Sequence, residues 1–286
     1  MTMQLRAPVL AVLAALAGAA GSARAQAAGD TAALRNWIQL YGVAATWELN
    51  SVANSFGIGT NAQFNAESDL GLPRHRPYTG VQLGRRIGER WRVELDYGWG
   101  RRKGSRTLGS DLDADNVRYA AGSALQSQVT LTTLRVTGGW SMVQTEQVEA
   151  GLLIGGHHVQ LSRHLQGQGQ SLSLLPPPPG ASGPPAVQAS ASDGSDSVIW
   201  PLAGAFVSYQ WTPAWRLGAR LLFTNSHNVQ WQAQAEWKID RHWSVAAGYL
   251  QARHNIDGVS CFIGCSPRYL IDSLIQGPSL TFQLAF

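Results

Sequence analysis

The sequence has 286 residues, of which 22 are basic and 18 acidic, and its formal net charge is +4. So small an excess gives no basis for nucleic acid as a partner, and two cysteines do not make a disulfide-stabilised miniprotein. Hydrophobic residues make up 44% of the chain, yet no segment has the roughly 18 consecutive apolar residues that a transmembrane helix needs.

The N-terminus has the pattern of a secretory signal. Arg6 precedes an apolar run from Ala7 to Ala20, and the triplet Ala23-Arg24-Ala25 follows. Such an Ala-x-Ala triplet is a cleavage site for export. We therefore expect residues 1–25 to be a signal peptide cut between Ala25 and Gln26, and residues 26–286 to form the mature domain.

The first clear element is the stretch WRVELDYGWGR, from Trp91 to Arg101. Alternate residues of a strand point to opposite faces. One face here carries large apolar and aromatic side chains, and the other carries charged residues and glycine. This pattern predicts a strand with lipid on one side and a polar interior on the other.

Similar stretches recur along the chain. We predict ten strands, at 37–47, 78–87, 91–101, 129–141, 148–161, 198–211, 215–224, 230–238, 243–253 and 278–286. Short and long connections mostly alternate, as in transmembrane barrels with short periplasmic turns and long extracellular loops. The expected fold is an all-β, antiparallel up-and-down transmembrane barrel of about ten strands, with eight or twelve as alternatives.

Aromatic residues fall at two levels of this barrel. Seven tryptophans lie near the periplasmic end: Trp37, Trp91, Trp140, Trp211, Trp215, Trp237 and Trp243. An opposite ring is predicted from Trp47, Tyr78, Trp99, Phe223 and Tyr249. Such rings mark the two membrane interfaces. The strand from Trp91 to Trp99 rises roughly 27 Å, or about 21 Å when tilted, which suits the apolar band of an outer-membrane barrel.

The C-terminal segment SLTFQLAF carries a resemblance to a known class. Leu280, Phe282, Leu284 and Phe286 place apolar residues at every second position and end in Phe. This resembles the assembly signal of Gram-negative outer-membrane β-barrel proteins. The resemblance implies the cell outer membrane as location, and outer-membrane lipid, lipopolysaccharide and the barrel assembly machinery as partners. The stretches SDLGLP (Ser68–Pro73), Trp91–Tyr97 and Arg106–Leu108 are also loosely similar to a group of small proteobacterial barrels, which implies no activity.

The strand parity also predicts what lines the lumen. Inward-facing charges are Arg86, Arg92, Glu94, Asp96, Arg135, Glu149, Arg216, Arg220 and Glu236, with Gln232 and Gln234 beside them. A barrel of about ten strands is only slightly wider than an eight-stranded one, whose interior side chains fill. We therefore expect a charge network that largely plugs the lumen. A narrow porin-like channel lined by arginine is the alternative.

Enzymatic alternatives depend on short motifs. The omptin family of ten-stranded outer-membrane proteases carries one Asp-x-Asp and one Asp-x-His pair at the outer rim, and this chain has Asp111-Leu112-Asp113 and Asp240-Arg241-His242. The predicted strands put these pairs at opposite ends, beyond hydrogen-bond reach. Ser226-His227-Asn228 and His157-His158 do not reproduce the His-x-Ser-Asn order of the lipid A deacylases. We expect no enzymatic activity, and a surface enzyme acting on lipid A or peptides remains the alternative.

Other candidate sites are weaker. Adjacent residues on a strand face opposite sides, so His157 and His158 cannot both join a metal site with His164, and we expect neither metal nor cofactor. Cys261 and Cys265 share an outer loop, and an oxidising compartment favours a local disulfide between them. Residues 162–197 are rich in Pro, Ser and Gly and are predicted to be a flexible extracellular loop, either a recognition site for an unknown surface ligand or a solvated spacer. The function expected from these features is structural or surface-interacting.

Overall fold

The computed structural model describes residues 35–54, 61–114, 117–171, 188–224, 228–258 and 269–286. The predicted signal peptide with its Ala25–Gln26 cleavage site, the Cys261–Cys265 pair and Ser226-His227 lie outside these ranges. Within them, no helix is long and apolar enough to cross a membrane. The strands are β1 (Asn36–Asn54), β2 (Asn61–Asn65), β3 (His75–Ile87), β4 (Trp91–Thr107), β5 (Leu112–Ala114), β6 (Val117–Tyr119), β7 (Ala124–Gln144), β8 (Val148–Ser171), β9 (Gln188–Gln210), β10 (Trp215–Phe223), β11 (Val229–Lys238), β12 (Trp243–Gly258) and β13 (Tyr269–Ala285).

Ten of the described strands form a closed antiparallel barrel. The ring runs β1, β3, β4, β7, β8, β9, β10, β11, β12 and β13, and β13 pairs back onto β1. The backbones of Asn36 and Phe286 exchange two hydrogen bonds of 2.9 Å at this seam. The predicted ten-stranded barrel is therefore confirmed, and each predicted strand corresponds to one strand of the ring.

The two ends of the barrel differ. At one end, which we call the turn end, β3 and β4 are joined by residues 88–90, and similarly short turns follow β7, β9 and β11. Gly88 has a φ of +64°, which the tight turn requires and which glycine adopts without strain. At the opposite end, called the loop end, eight of the ten ring strands extend several residues past their predicted limits, the exceptions being β10 and β11. Both described termini, Arg35 and Phe286, lie at the turn end.

The largest departure from the sequence analysis concerns residues 162–197. Residues 162–171 belong to β8 and 188–197 to β9, and their register continues without a break to Gly169↔Gln188. Only 172–187 fall outside the described ranges. The prediction of a long loop was wrong at both ends because the outward positions of these segments carry mostly polar or small residues, such as Gln166, Asp193 and Ser195. They therefore lack the apolar alternation by which membrane-spanning strands are recognised.

β4 shows how the two faces are used. Glu94 and Asp96 point inward and are 3% and 5% exposed, whereas Trp91, Val93 and Trp99 point outward and are 55%, 43% and 44% exposed. Many other large apolar side chains, from Leu40 on β1 to Phe282 on β13, are also exposed on the outside. Between Trp91 and Trp99 the wall of the barrel is thus apolar outside and polar inside, as the alternation predicts.

The aromatic rings are only partly as predicted. Outward-facing, exposed members are Trp91, Trp140, Trp211, Trp215, Trp237 and Trp243 at the turn end, with Trp99, Phe223 and Tyr249 farther along the strands. In contrast, Trp37, Trp47 and Tyr78 point into the barrel, so their assignment to the rings was wrong. Each of these three rings lies over a glycine of another strand, Gly84 on β3 or Gly98 and Gly100 on β4, which leaves the space that an inward aromatic side chain needs.

Candidate functional site

The lumen contains the side chains that could bind or react with a ligand, and most of the charged ones lie toward the turn end. The structure places every predicted lumen charge on the inner wall. These are Arg86, Arg92, Glu94, Asp96, Arg135, Glu149, Arg216, Arg220 and Glu236, with Gln232 and Gln234 between them. All six strands that carry these charges border a short turn at the turn end, and these turns fix the register of each strand against its neighbour.

Glu94 is the centre of this cluster. Its Oε2 accepts a hydrogen bond of 2.6 Å from Nη2 of Arg220 on β10, and its Oε1 lies 3.4 Å from Nε of Arg92. Thr137 on β7 also donates to it. The guanidinium of Arg92 stacks over the ring of Phe206, 3.4 Å from its centroid. A single carboxylate therefore compensates two arginines that reach it from different sides of the barrel.

The remaining charges near the turn end are paired unequally. Arg86 binds both oxygens of Glu149, at 3.1 and 2.9 Å, and Ser141 donates to the same carboxylate at 2.6 Å. Arg216, by contrast, lies 3.8 Å from Glu236. This last distance is too long for a hydrogen bond, so the Arg216 charge is only weakly compensated.

A second polar layer lies at the middle of the lumen. Asp96 accepts hydrogen bonds from Arg135 at 3.1 Å and from Tyr41 at 3.2 Å, and Arg135 also donates to Gln230 at 2.7 Å. Sequence reasoning identified the Asp96 and Arg135 charges but missed Tyr41, because β1 alternates poorly.

Two histidines meet in the same layer. His157 on β8 and His254 on β12 are each 4% exposed, and their ring centroids are 5.3 Å apart. His158 faces outward, and His164 lies farther along β8 where it contacts Asp193. Among the described residues no group of three or more His, Cys, Asp or Glu could hold a metal ion. His254 was missed because the predicted strand ends at residue 253.

The loop half of the lumen is filled with apolar side chains. We call this cluster the loop-half core; it contains Val43, Ala45, Trp47, Leu49, Ala66, Leu70, Leu72, Tyr78, Leu108, Leu112, Val117, Tyr119, Leu125, Val129, Leu131, Val159, Leu161, Leu165, Leu250, Ala252 and Ile275. All are buried, and Trp47 and Leu131 are 1% and 0% exposed. The core is made by inward residues of β1, β3, β7, β8, β12 and β13 together with residues of the loop-end connections. The sequence analysis assigned the filling of the lumen to charges, whereas this half of it is apolar.

The connection between β2 and β3 contributes a wedge to this core. Residues 66–73, which include the SDLGLP motif, fold inward so that Leu70 and Leu72 are buried. Arg102 is fully buried, forms an ion pair with Glu67 of the wedge and lies 5.2 Å from the ring of Trp47. Arg102 continues the inward parity of Glu94 and Asp96 on β4. Extending that alternation beyond the predicted strand end would have found it.

Toward the turn end the lumen is hollow. A cavity of about 650 Å³ lies between the charged side chains and the short turns. Trp37 and Phe206 contribute aromatic walls, and Asp240 and Arg241 lie at its rim. The loop-half core lies on its other side. The lumen therefore consists of a charged cavity at one end and a filled apolar half at the other.

The proposed catalytic motifs of the enzyme alternatives are far apart. Asp111 precedes β5 at the loop end, and Asp113 lies in β5. Asp240 and His242 are in the turn between β11 and β12, at the opposite end. The Asp240 carboxylate accepts hydrogen bonds from the backbone N–H groups of Trp243 and His242, at 2.7 and 2.6 Å, and these lower its pKa. The Asp240 carboxylate is thus engaged in hydrogen bonds that stabilise the turn.

The C-terminal residues singled out by the sequence lie on the outside of β13. Leu280 and Phe282 are exposed by 46% and 50%, and Leu284 and Phe286 are partly exposed. Their side chains form one apolar stripe beside β1 at the seam of the barrel. The stripe is available to a lipid or to a protein that approaches the outer face.

No protein-family model matches the chain, and no curated protein matches it in sequence. Solved structures, in contrast, are similar to it in three dimensions. The outer membrane protease OmpT from Escherichia coli has a TM-score of 0.55 and 10% identity, over 91% of this chain and 99% of OmpT. The translocator domain of the autotransporter NalP from Neisseria meningitidis has a TM-score of 0.42 and 14% identity, over 100% of both chains. The Ralstonia pickettii toluene transporter TbuX has a TM-score of 0.33 and 12% identity, over 88% and 90%. The similarity to OmpT concerns the fold alone, and we draw nothing from the two lower scores.

Proposed function

We propose that the protein is an integral outer-membrane β-barrel with a structural or surface-interacting role, and that its lumen does not conduct ions. The single observation that carries the proposal is the loop-half core. Its side chains occupy the lumen on the side that would face the cell exterior, and an apolar filling offers an ion no substitute for its hydration shell.

The outer surface supports the membrane location. Outward apolar residues such as Val93, Val136 and Ile154 are 43%, 48% and 66% exposed. An exposed surface of this kind is unfavourable in water and favourable in hydrocarbon. Tryptophans at the turn end would then mark the periplasmic interface, and the short turns would face the periplasm.

The partners follow from the same orientation. Arg101 and Lys103 are exposed and follow Trp99 on β4, just beyond the apolar stretch. At that level they would meet phosphates of lipopolysaccharide. The outward stripe of Leu280, Phe282, Leu284 and Phe286 would be read by the barrel assembly machinery. A surface ligand would bind at the loop end.

A planar bilayer experiment tests the proposal. Full-length mature protein, refolded and inserted into a bilayer, should give no steady single-channel current. A large, stable conductance would overturn closure and favour the porin-like alternative. Lipid A mass spectrometry from overexpressing cells and cleavage of a peptide library by intact cells test the enzyme alternative. A new lipid A species or a specific cleavage product would overturn the non-enzymatic role.

A further inference from the structure

The cavity at the turn end is large enough for a small organic molecule. Its volume of about 650 Å³ lies within the range of roughly 300–1,000 Å³ found for ligand pockets. The loop-half core closes one side of it, and its rim at Asp240 and Arg241 opens between the short turns. A ligand would therefore enter and leave by the turn end only.

The described residues that line the cavity carry an excess of positive charge. Five cationic side chains line its interior, namely Arg86, Arg92, Arg216, Arg220 and Lys238, and three carboxylates oppose them, Glu94, Glu149 and Glu236. At the rim, Asp240 and Arg241 offset each other. The interior thus holds two positive charges more than negative ones.

The contacts show where this excess lies. Arg86 and Arg220 each have a carboxylate oxygen within 3 Å. Arg92 is 3.4 Å from Glu94, but its buried Nε makes no hydrogen bond. Arg216 is 3.8 Å from Glu236, and Nζ of Lys238 donates to the neutral Gln210 at 2.6 Å. Arg92 thus shares the Glu94 carboxylate with Arg220, and the two positive charges with the weakest compensation are those of Arg216 and Lys238.

We propose that this cavity binds a small organic anion that carries two negative charges on oxygen, such as a phosphate ester or a dicarboxylate. A recess lined by one sign of charge concentrates counter-ions, and its low-dielectric walls strengthen the attraction. Guanidinium groups bind carboxylate and phosphate oxygens through paired N–H donors. Two charges on the ligand would balance the two that the protein leaves unpaired. Trp37, which also lines the cavity, offers aromatic surface to the organic part of the ligand.

Titration calorimetry on the refolded full-length mature protein in a zwitterionic detergent tests this inference. Inorganic phosphate and succinate serve as probes, each titrated at constant ionic strength, and chloride is the reference anion. We expect saturable binding of at least one probe at a single site. Tighter binding of phosphate would identify the phosphate-ester class, and tighter binding of succinate the dicarboxylate class.

Two sets of variants give opposite expected directions. The double substitution Arg216→Gln and Lys238→Gln removes both excess charges and should weaken binding on the order of tenfold or more. Glu236→Gln removes one negative charge from the cavity and should strengthen binding several-fold. The matched control is Arg101→Gln with Lys103→Gln on the exposed outer face of β4, which should leave the affinity unchanged.

The inference fails if neither probe binds saturably at millimolar concentration, if the outer-face control weakens binding as much as the cavity variant, or if Glu236→Gln weakens it. Should the double variant not refold, the direction of the Glu236→Gln effect decides. The result for anion binding is independent of the proposed function, because the cavity could bind an anion whether or not the barrel conducts ions.

Discussion

Glu94 on β4 and Arg220 on β10 meet across the barrel, with Nη2 of the arginine 2.6 Å from Oε2 of the carboxylate. Three strands, β7, β8 and β9, separate their strands along the ring. The pair therefore joins two walls that share no backbone hydrogen bond. Because Arg92 depends on the same carboxylate, Glu94 stabilises a three-residue cluster at the boundary of the cavity.

The first prediction is that Glu94→Gln lowers stability. The amide cannot compensate the two guanidinium groups, and breaking a buried ion pair costs about 3–5 kcal/mol when no water replaces it. The adjacent cavity admits water to Arg220, so we expect about 1–3 kcal/mol from urea unfolding in detergent micelles. Glu236→Gln is the control, because its carboxylate is 3.8 Å from a partly exposed arginine and its loss should cost little. Equal effects of the two variants would contradict the role given to Glu94.

The second prediction concerns the lipid-facing side of β4. Leu95 points outward between Leu83 and Val136 of the neighbouring strands. Leu95→Arg should cost roughly 2–4 kcal/mol if this position lies near the bilayer midplane. Ser105→Arg is the matched control, because Ser105 is exposed on the same strand and face but beyond the apolar stretch. Refolding yields and urea unfolding in lipid vesicles measure both. Tolerance of Leu95→Arg equal to that of Ser105→Arg would place Leu95 outside the hydrocarbon.

The alternation of β4 shows how much of the fold was accessible from the sequence. Charged and apolar residues alternate between Trp91 and Trp99, so strand, faces and membrane band follow from one short segment. The inward position of Glu94 and Asp96 followed from the same pattern. Their partners Arg220 and Arg135 were assigned to the lumen by parity, but which arginine meets which carboxylate depends on the stagger of strands around the ring. No single strand contains that information.

The structure of the loop half was harder to predict from the sequence, for a physical reason. Outside the membrane both faces of a strand tolerate polar residues, so Gln160 or Ser190 gives no sign of which face it lies on. The prediction for β1 failed for a different reason, because Trp47 and Tyr41 lie on a strand with apolar residues on both faces. Their inward orientation depends on Gly100 of β4 and Gly80 of β3, which provide the space beneath the rings of Trp47 and Tyr41 respectively. The loop-half core could not be predicted because it needs these long-range contacts.

The third prediction is that the Phe286 ring is required for assembly. The backbone of Phe286 already bonds to Asn36, so deletion of the residue would disturb both the seam and the ring. Phe286→Ala keeps the backbone and removes the ring, and we expect lower amounts in the outer membrane with more degradation in the periplasm. Phe286→Tyr preserves an aromatic ring and should assemble normally. Quantitative immunoblots of membrane fractions measure the three proteins. Normal abundance of Phe286→Ala would argue against an assembly signal at this residue.

The last prediction tests the glycine positions beneath the inward aromatic rings. A Cβ on Gly98 would lie 2.1 Å from the hydroxyl oxygen of Tyr78 and 2.9 Å from Oγ1 of Thr133. These two side chains are buried and joined by a hydrogen bond of 2.6 Å, so neither can move aside freely. Gly98→Ala should therefore cost about 1–3 kcal/mol, as overpacking of a core does. Gly156→Ala is the control, because a Cβ on Gly156 in β8 meets nothing within 4 Å. Urea unfolding should separate the two, and the penalty of Gly98→Ala should shrink when it is combined with Tyr78→Ala, since the overlap is then gone. An undiminished penalty in the double variant would show that Tyr78 does not occupy the space above Gly98.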